Sequence, residues 1–190
     1  MKILILKKSL VLIAINIFLA AVCPAQDMIY PAIKGFGGVL PVPFEASKPD
    51  PTKQYKFVIE LGEKVEDKTK VADMLDYAAR MYNLHRYAGI PKENIELALV
   101  IYSGSACMVV ANPQYAKRYK KDSVNSIIEN PNGPLLDEFI KNGIQVIVCG
   151  QSMMKQKLTP TDIYPGVNMA VSRFTATTDL MLKGYQLIIL

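Results

Sequence analysis

Residues 134–152 read PLLDEFIKNGIQVIVCGQS, and this stretch contains the pattern that decides the fold. Residues 134–142 begin with a proline, which is favoured in the first turn of a helix. Gly143 follows them, and glycine readily takes the left-handed conformation that ends many helices. Residues 144–149 are almost continuously apolar, which is typical of a strand buried on both faces. The stretch therefore predicts a helix, a turn, a buried strand and then a short helix near residues 152–156.

The same order of helix, glycine and apolar strand recurs along the chain. Helices are predicted at residues 69–87, 134–142 and 173–183, followed by Gly89, Gly143 and Gly184. Strands are predicted at residues 55–61, 95–102, 144–149, 167–171 and 185–190. Strands that alternate with helices favour a mostly parallel sheet covered on both faces. We therefore predict an α/β fold over residues 55–190, a three-layer α/β/α domain with a mostly parallel sheet of about five strands.

Residues 1–25 have the organisation of a secretory signal peptide. The segment starts with a basic region, continues with the apolar residues 9–22, and ends with Cys-Pro-Ala at residues 23–25 as a cleavage site. We therefore predict a protein that is exported to the periplasm and has no membrane span after the signal is cleaved. The alternatives are an uncleaved membrane anchor, for which the apolar run is short, and a lipoprotein acylated at Cys23. The valine and proline that flank Cys23 are unfavourable for acylation.

Residues 26–54 are rich in residues that interrupt regular structure, with five prolines and three glycines. This composition predicts an extended Pro/Gly-rich N-terminal arm rather than a folded domain. The arm also contains apolar residues such as Ile33 and Phe36. We therefore expect it to pack on its own domain or on a neighbouring subunit.

The overall composition excludes several classes of protein. The chain is 51% hydrophobic and 21% charged, which excludes a disordered protein. The chain has 22 basic and 17 acidic residues, and three of the basic residues lie in the predicted signal. This near balance gives no electrostatic reason to expect a nucleic acid partner. Because the chain has one histidine, it cannot form a histidine-rich metal site by itself, and neither a metal nor a cofactor is expected.

Cys149 is the residue best suited to chemistry. It ends a predicted strand, and ligands of open α/β sheets bind beyond the carboxyl ends of the strands. Gly150 permits a tight turn there, and the N–H groups of a following helix can stabilise a thiolate. We therefore predict Cys149 as a nucleophile, with Gly150 and Gln151 in the substrate site. The alternative is a buried cysteine that only packs, as a small apolar residue does.

A second group of small polar residues follows the predicted strand at residues 95–102. Ser103, Gly104 and Ser105 can present backbone N–H groups to an anion, so we predict them as substrate-binding residues. Cys107 is either packed in the core or a redox partner of Cys149. An exported protein is found where such disulfides persist.

Residues 55–190 resemble the DsrE/DsrF-like sulfur-relay family, and the arm resembles those of its exported members. The resemblance rests on residues 135–154, on residues 158–171, which include Pro165-Gly166-Val167, and on the ending at residues 175–190. It implies a subunit that assembles as a homo-oligomer, a trimer or a hexamer. It also implies that Cys149 accepts sulfur as a persulfide and passes it on. Small sulfur species or protein sulfur donors and acceptors would then be its partners.

Three functions are compatible with these observations. The first is a thiol-based sulfur carrier that acts outside the cytoplasm through Cys149. The second is a small-ligand-binding or oligomeric assembly module without turnover. The third is a redox protein that uses a Cys107–Cys149 disulfide. They differ in what they require of Cys149. A sulfur carrier needs an accessible, ionised thiol, whereas a binding or assembly module has a buried thiol that reacts slowly. A redox protein needs a second thiol with which Cys149 can pair.

Overall fold

The computed structural model describes residues 27–119 and 129–189, so the predicted signal peptide at residues 1–25 lies outside the described residues. The described helices are α1 (Asp73–Tyr87), α2 (Asn112–Tyr119), α3 (Gly133–Lys141), α4 (Gly150–Lys155) and α5 (Arg173–Leu182). The described strands are β1 (Tyr55–Leu61), β2 (Ile95–Ile101), β3 (Gln145–Cys149), β4 (Asn168–Ala170) and β5 (Gln186–Ile188). Short 3-10 helices are found at Lys92–Asn94, Ser103–Val109 and Pro160–Asp162. No described helix combines the length and the apolarity that crossing a membrane requires.

The described strands form one sheet in the order β4-β3-β2-β1-β5, and every neighbouring pair is parallel. The central strands β1 and β2 are paired along their whole length, from Tyr55 beside Ile95 to Leu61 beside Ile101. This topology confirms the predicted parallel sheet. Because all the strands run in one direction, their carboxyl ends meet at a single edge of the sheet, where a ligand site is expected.

Successive residues of each strand point to opposite faces of the sheet, and both faces are covered. Phe57 and Ile59 of β1 join the larger core, to which α1 and α3 contribute apolar side chains. Val58 faces the other way and joins a smaller core, to which α5 contributes Ala176 and Leu180. The arrangement confirms the three-layer α/β/α fold. It also explains why these strands are apolar at nearly every position.

The first part of the predicted arm packs on its own domain. Residues 29–39 form a loop whose ends are joined by two backbone hydrogen bonds, and Ile33 within it is fully buried. The side chain of Asn83 in α1 holds this docked loop by hydrogen bonds to its backbone. The loop residues that it contacts are Ala32, Ile33, Phe36 and Gly37. Residues 40–54 contain neither a helix nor a strand.

Some element boundaries differ from the sequence prediction. Helix α1 begins at Asp73 rather than at residue 69. The reason is a local turn in which the Asp67 carboxylate accepts hydrogen bonds from the backbone N–H and the hydroxyl of Thr69. Such side-chain bonds compete with helix formation. Strands β4 and β5 have three residues each and are shorter than predicted, since each pairs with a neighbour on one side only.

Candidate functional site

Cys149 is the last residue of β3, and α4 begins at the next residue. The glycine at residue 150 lets a neighbouring strand approach the backbone closely there. A Cβ atom at Gly150 would lie 2.8 Å from the carbonyl oxygen of Ala170, closer than a side chain tolerates. The missing side chain therefore lets the junction of β3 and α4 rest against the end of β4.

The Cys149 thiol is surrounded by hydrogen-bond donors. Burial is the largest single influence on its pKa and acts to raise it. The hydroxyl and N–H of Ser152 and the N–H groups of Arg173 and Gln151 act in the opposite direction, because they donate to the charged sulfur. Their combined effect is larger, so the pKa of Cys149 is lowered from its ordinary value. A lower pKa increases the fraction of thiolate, the nucleophilic form.

The Ser152 hydroxyl is oriented by the loop that follows β2. The backbone N–H of Ser103 donates to Ser152 Oγ over 2.8 Å. The Nε2 of Gln156 donates to the carbonyl oxygen of Ser103 over 2.6 Å. Ser103 has a φ of 50°, in the left-handed region that residues other than glycine rarely adopt. The serine oxygen thus accepts from the backbone, and the same hydroxyl helps to lower the pKa of Cys149.

The sulfur lies in the wall of a pocket of about 430 Å³, here called the Cys149 pocket. Cys149 is only 4% exposed, yet it lines this space. The lining comes from the ends of β2 and β3, from α4 and from the start of α5. Besides Cys149 and Ser152, it includes Ser103, Gln151, Lys155 and Phe174. The thiol therefore borders a space large enough for a small molecule.

Arg173 is a pocket residue that the sequence analysis missed. Its guanidinium carbon lies 4.3 Å from the ring centroid of Tyr102 and 4.3 Å from that of Phe174. Its Nη1 donates to a carboxylate oxygen of Glu60 over 2.8 Å. The backbone N–H of the same residue helps to lower the pKa of the Cys149 thiol. The one available signal was its position just after the predicted strand at residues 167–171, at the edge where Cys149 was expected.

The remaining predicted substrate residues lie in different surroundings. Gln151 lines the Cys149 pocket, and Gly150 forms the turn beneath it. Gly104 faces the loop after β1, since a Cβ atom there would lie 3.0 Å from the Cα of Lys64. Ser105 is fully buried and donates to the carbonyl oxygen of Glu63 over 2.5 Å. The structure therefore brings Ser103 and Gln151 to the thiol but directs the side chain of Ser105 elsewhere.

Cys107 has surroundings unlike those of Cys149. It is buried in the larger core, and it does not line the Cys149 pocket. Burial raises the pKa of its thiol from the ordinary value, although the nearby Lys68 ammonium partly opposes this. Both cysteines are free thiols. The surroundings of the two thiols thus shift their pKa values in opposite directions, that of Cys107 upward and that of Cys149 downward.

A larger cavity of about 550 Å³ adjoins the site. The Tyr102 ring, which lines the Cys149 pocket, packs on Gly62, which lines this larger cavity. The acidic residues of its wall are Glu60, Glu63, Glu66, Asp67 and Asp73. Nevertheless, no group of His, Cys, Asp and Glu suited to hold a metal ion is found among residues 27–119 and 129–189.

This chain is similar to a known protein family and to solved structures. Residues 55–190 match the sequence model of the DsrE/DsrF-like family. A protein of unknown function from Methanobacterium thermoautotrophicum, MTH1491, has a similar solved structure, with a TM-score of 0.51 and 16% identity. That likeness covers 72% of this chain and 100% of the other. The ychN protein from E. coli gives a TM-score of 0.49 at 14% identity, with the same coverage of 72% and 100%. No curated protein matches this chain in sequence.

Proposed function

The chain belongs to the DsrE/DsrF-like family, and we propose that it is a thiol-based sulfur carrier in which Cys149 holds the sulfur as a persulfide. The observation that carries the proposal is the position of the Cys149 sulfur. It lines a pocket and receives hydrogen bonds that lower the pKa of the thiol. A thiolate beside an open space is what attack on a sulfur donor requires.

The transfer is a simple exchange of sulfur–sulfur bonds. The Cys149 thiolate attacks the terminal sulfur of a polysulfide, a new S–S bond forms, and the shortened polysulfide leaves with the electron pair of the broken bond. We expect the groups of Ser152, Gln151 and Arg173 that lower the pKa of the thiol to stabilise the persulfide anion as well. A second thiolate, that of the acceptor, removes the outer sulfur by the same reaction in reverse.

Mass spectrometry of the folded protein after polysulfide treatment tests this function. We expect wild-type protein to gain the mass of one sulfur atom, and Cys149→Ser to gain nothing. Cys107→Ser is the matched control and should still gain the sulfur, because Cys107 does not line the pocket. A wild-type mass that does not change, or an equal gain in Cys149→Ser, contradicts the proposal.

We propose that this carrier acts outside the cytoplasm, in the periplasm. The support comes from the basic start, apolar core and cleavage site of residues 1–25. Fractionation of cells that express the full chain tests the proposal. A periplasmic protein with the mass expected for cleavage after Ala25 supports it, and an uncleaved cytoplasmic protein contradicts it.

We also propose that the chain assembles as a homo-oligomer, a trimer or a hexamer. Large apolar side chains are exposed along α5 and after β5, including Phe174, Leu182 and Ile189. A surface of this kind is typical of a protein interface. Light scattering should give a trimeric or hexameric mass, and Leu182→Glu should reduce it. Phe44→Glu, at another exposed apolar residue, in the arm, is the control. A monomeric wild-type protein contradicts the proposal.

A further inference from the structure

The size of the Cys149 pocket bears on the kind of sulfur donor that it receives. Its volume is about 430 Å³, within the range of about 300–1,000 Å³ that is typical of pockets for drug-sized molecules. An inorganic sulfur anion has only a few heavy atoms and fills a small part of such a space. The pocket therefore has room for an organic group attached to the reacting sulfur.

The charge of the lining indicates the chemistry of that group. Lys155 and Arg173 line the pocket, and no aspartate or glutamate is among its described lining residues. Lys155 is exposed, and no ion pair joins it to another described residue. Arg173 contacts Glu60 through Nη1, and a guanidinium carries further N–H donors. Such a lining favours a ligand with carboxylate groups.

The uncharged part of the lining is suited to a peptide-like body. Gln151 supplies a side-chain amide at the exposed rim of the pocket. Tyr102 and Phe174 add aromatic rings to the lining, and the centroid of each lies 4.3 Å from the guanidinium carbon of Arg173. Pockets for organic ligands typically combine apolar walls with a few polar groups that fix orientation. The same combination is found here next to the thiol.

The neighbouring larger cavity does not offer an alternative place for such a ligand. Its described wall contains five carboxylate residues and two lysines, Lys64 and Lys70. Lys64 is paired with Glu66, and Lys70 with Asp67. An anionic ligand would be repelled there and attracted to the Cys149 pocket. This difference in charge between the two cavities therefore favours binding of an anionic ligand in the Cys149 pocket.

We infer that the sulfur donor of Cys149 is a low-molecular-weight organic persulfide with carboxylate groups, bound through Lys155 and Arg173. This inference rests on the proposed function. In the reaction, the Cys149 thiolate attacks the outer sulfur of the donor R–S–SH. The S–S bond of the donor breaks, its electron pair leaves with the thiolate R–S⁻, and the proton stays on the sulfur that is now attached to Cys149. No oxidant or reductant is consumed.

A comparison of the rates at which different donors modify Cys149 tests the inference. The probes are glutathione persulfide, the persulfide of glutathione diethyl ester, whose carboxylates are masked, and inorganic polysulfide. The rate constant for sulfur addition to Cys149 is measured by mass spectrometry in wild type, in Lys155→Gln and in Lys48→Gln. Lys48 is an exposed lysine of the arm that does not line the pocket, so its variant controls for the loss of one positive charge.

We expect the free acid to react faster than the diester in wild type, and Lys155→Gln to slow the free acid about three- to tenfold. Lys155→Gln should change the diester rate little, and Lys48→Gln should change neither. Two results overturn the inference: equal rates for the acid and the diester in wild type, or an equal loss of rate for both in Lys155→Gln. If polysulfide still modifies Cys149 in that case, the proposed function stands although the inference has failed. If none of the three donors modifies Cys149, the proposed function itself has failed and the inference fails with it.

Discussion

The backbone N–H of Ser103 donates a hydrogen bond of 2.8 Å to the hydroxyl oxygen of Ser152. The two residues follow different strands, and the bond joins the end of β2 to helix α4. The Ser152 hydroxyl that accepts this bond also helps to lower the pKa of Cys149. Among the groups that lower this pKa, Ser152 is the one that acts through its side chain as well as its backbone.

Replacing Ser152 by alanine should therefore raise the pKa of Cys149. The thiolate loses a hydroxyl donor and keeps only backbone donors, so alkylation below that pKa should slow about tenfold. Ser152→Thr is the control, because it retains a hydroxyl and should react at a rate close to that of wild type. The measurement is the rate of iodoacetamide addition to Cys149 as a function of pH. Equal profiles for Ser152→Ala and wild type would show that the hydroxyl does not act on the sulfur.

The lowered pKa of Cys149 also predicts how stability depends on pH. The unfolded thiol binds its proton more tightly than the folded one, so ionisation favours the folded state. This contribution is complete above the unfolded pKa and is lost as pH falls through the folded pKa. The free energy of unfolding of wild type, minus that of Cys149→Ser, should therefore increase with pH across this window. Urea unfolding of the two proteins at several pH values measures this difference in the free energy of unfolding. Cys107 is present in both proteins, so its titration cancels. A difference that does not change with pH contradicts the prediction.

The two thiols should differ in reactivity. Cys107 is buried in the core, and burial raises the pKa of its thiol, whereas Cys149 borders a pocket. In the protein cleaved after Ala25, which lacks Cys23, we expect one equivalent of iodoacetamide to be taken up quickly in the folded state and a second only in denaturant. Peptide mapping identifies the sites. Modification of Cys107 in the folded protein at a rate similar to that of Cys149 would be inconsistent with the described core.

The docked loop predicts a large effect of a small substitution. Gly37 has a φ of 59°, and a Cβ atom there would lie 2.2 Å from the backbone nitrogen of Arg80. Gly37→Ala should therefore lower the free energy of unfolding by about 2–4 kcal/mol. Gly35 has a φ of 78° but no atom within 4 Å of such a Cβ, so Gly35→Ala should cost about 1 kcal/mol. Urea unfolding of the two variants measures their free energies of unfolding. Equal decreases in the two variants would indicate that the close contact at Gly37 contributes nothing beyond the strain of a positive φ.

The strands, their parallel direction and the position of Cys149 at the end of a strand follow from local patterns in the sequence. Residues 144–149 form a continuous apolar run, and Gly143 separates them from the preceding helix. These features depend on near neighbours, so periodicity and turn residues were enough to predict them. The parallel direction follows in turn from the alternation of helices with doubly buried strands.

The details of the site depend on contacts between distant parts of the chain. Arg173 reaches the thiol only because β4 pairs with β3 and delivers the start of α5 to the same edge. Ser103 and Ser105 are two residues apart, and the backbone conformation at Ser103 decides which of them meets Ser152. Asn83 holds a loop about 50 residues away. Periodicity carries no information on such contacts.

The most direct test of the central claim is the pH dependence of Cys149 alkylation in the folded wild-type protein. The groups of Ser152, Gln151 and Arg173 that lower the pKa of Cys149 predict a midpoint below that of a free cysteine thiol measured under the same conditions. Rapid, complete modification with such a midpoint would support a thiolate that is open to the pocket. A midpoint at or above that of a free thiol, or no modification without denaturant, would contradict it.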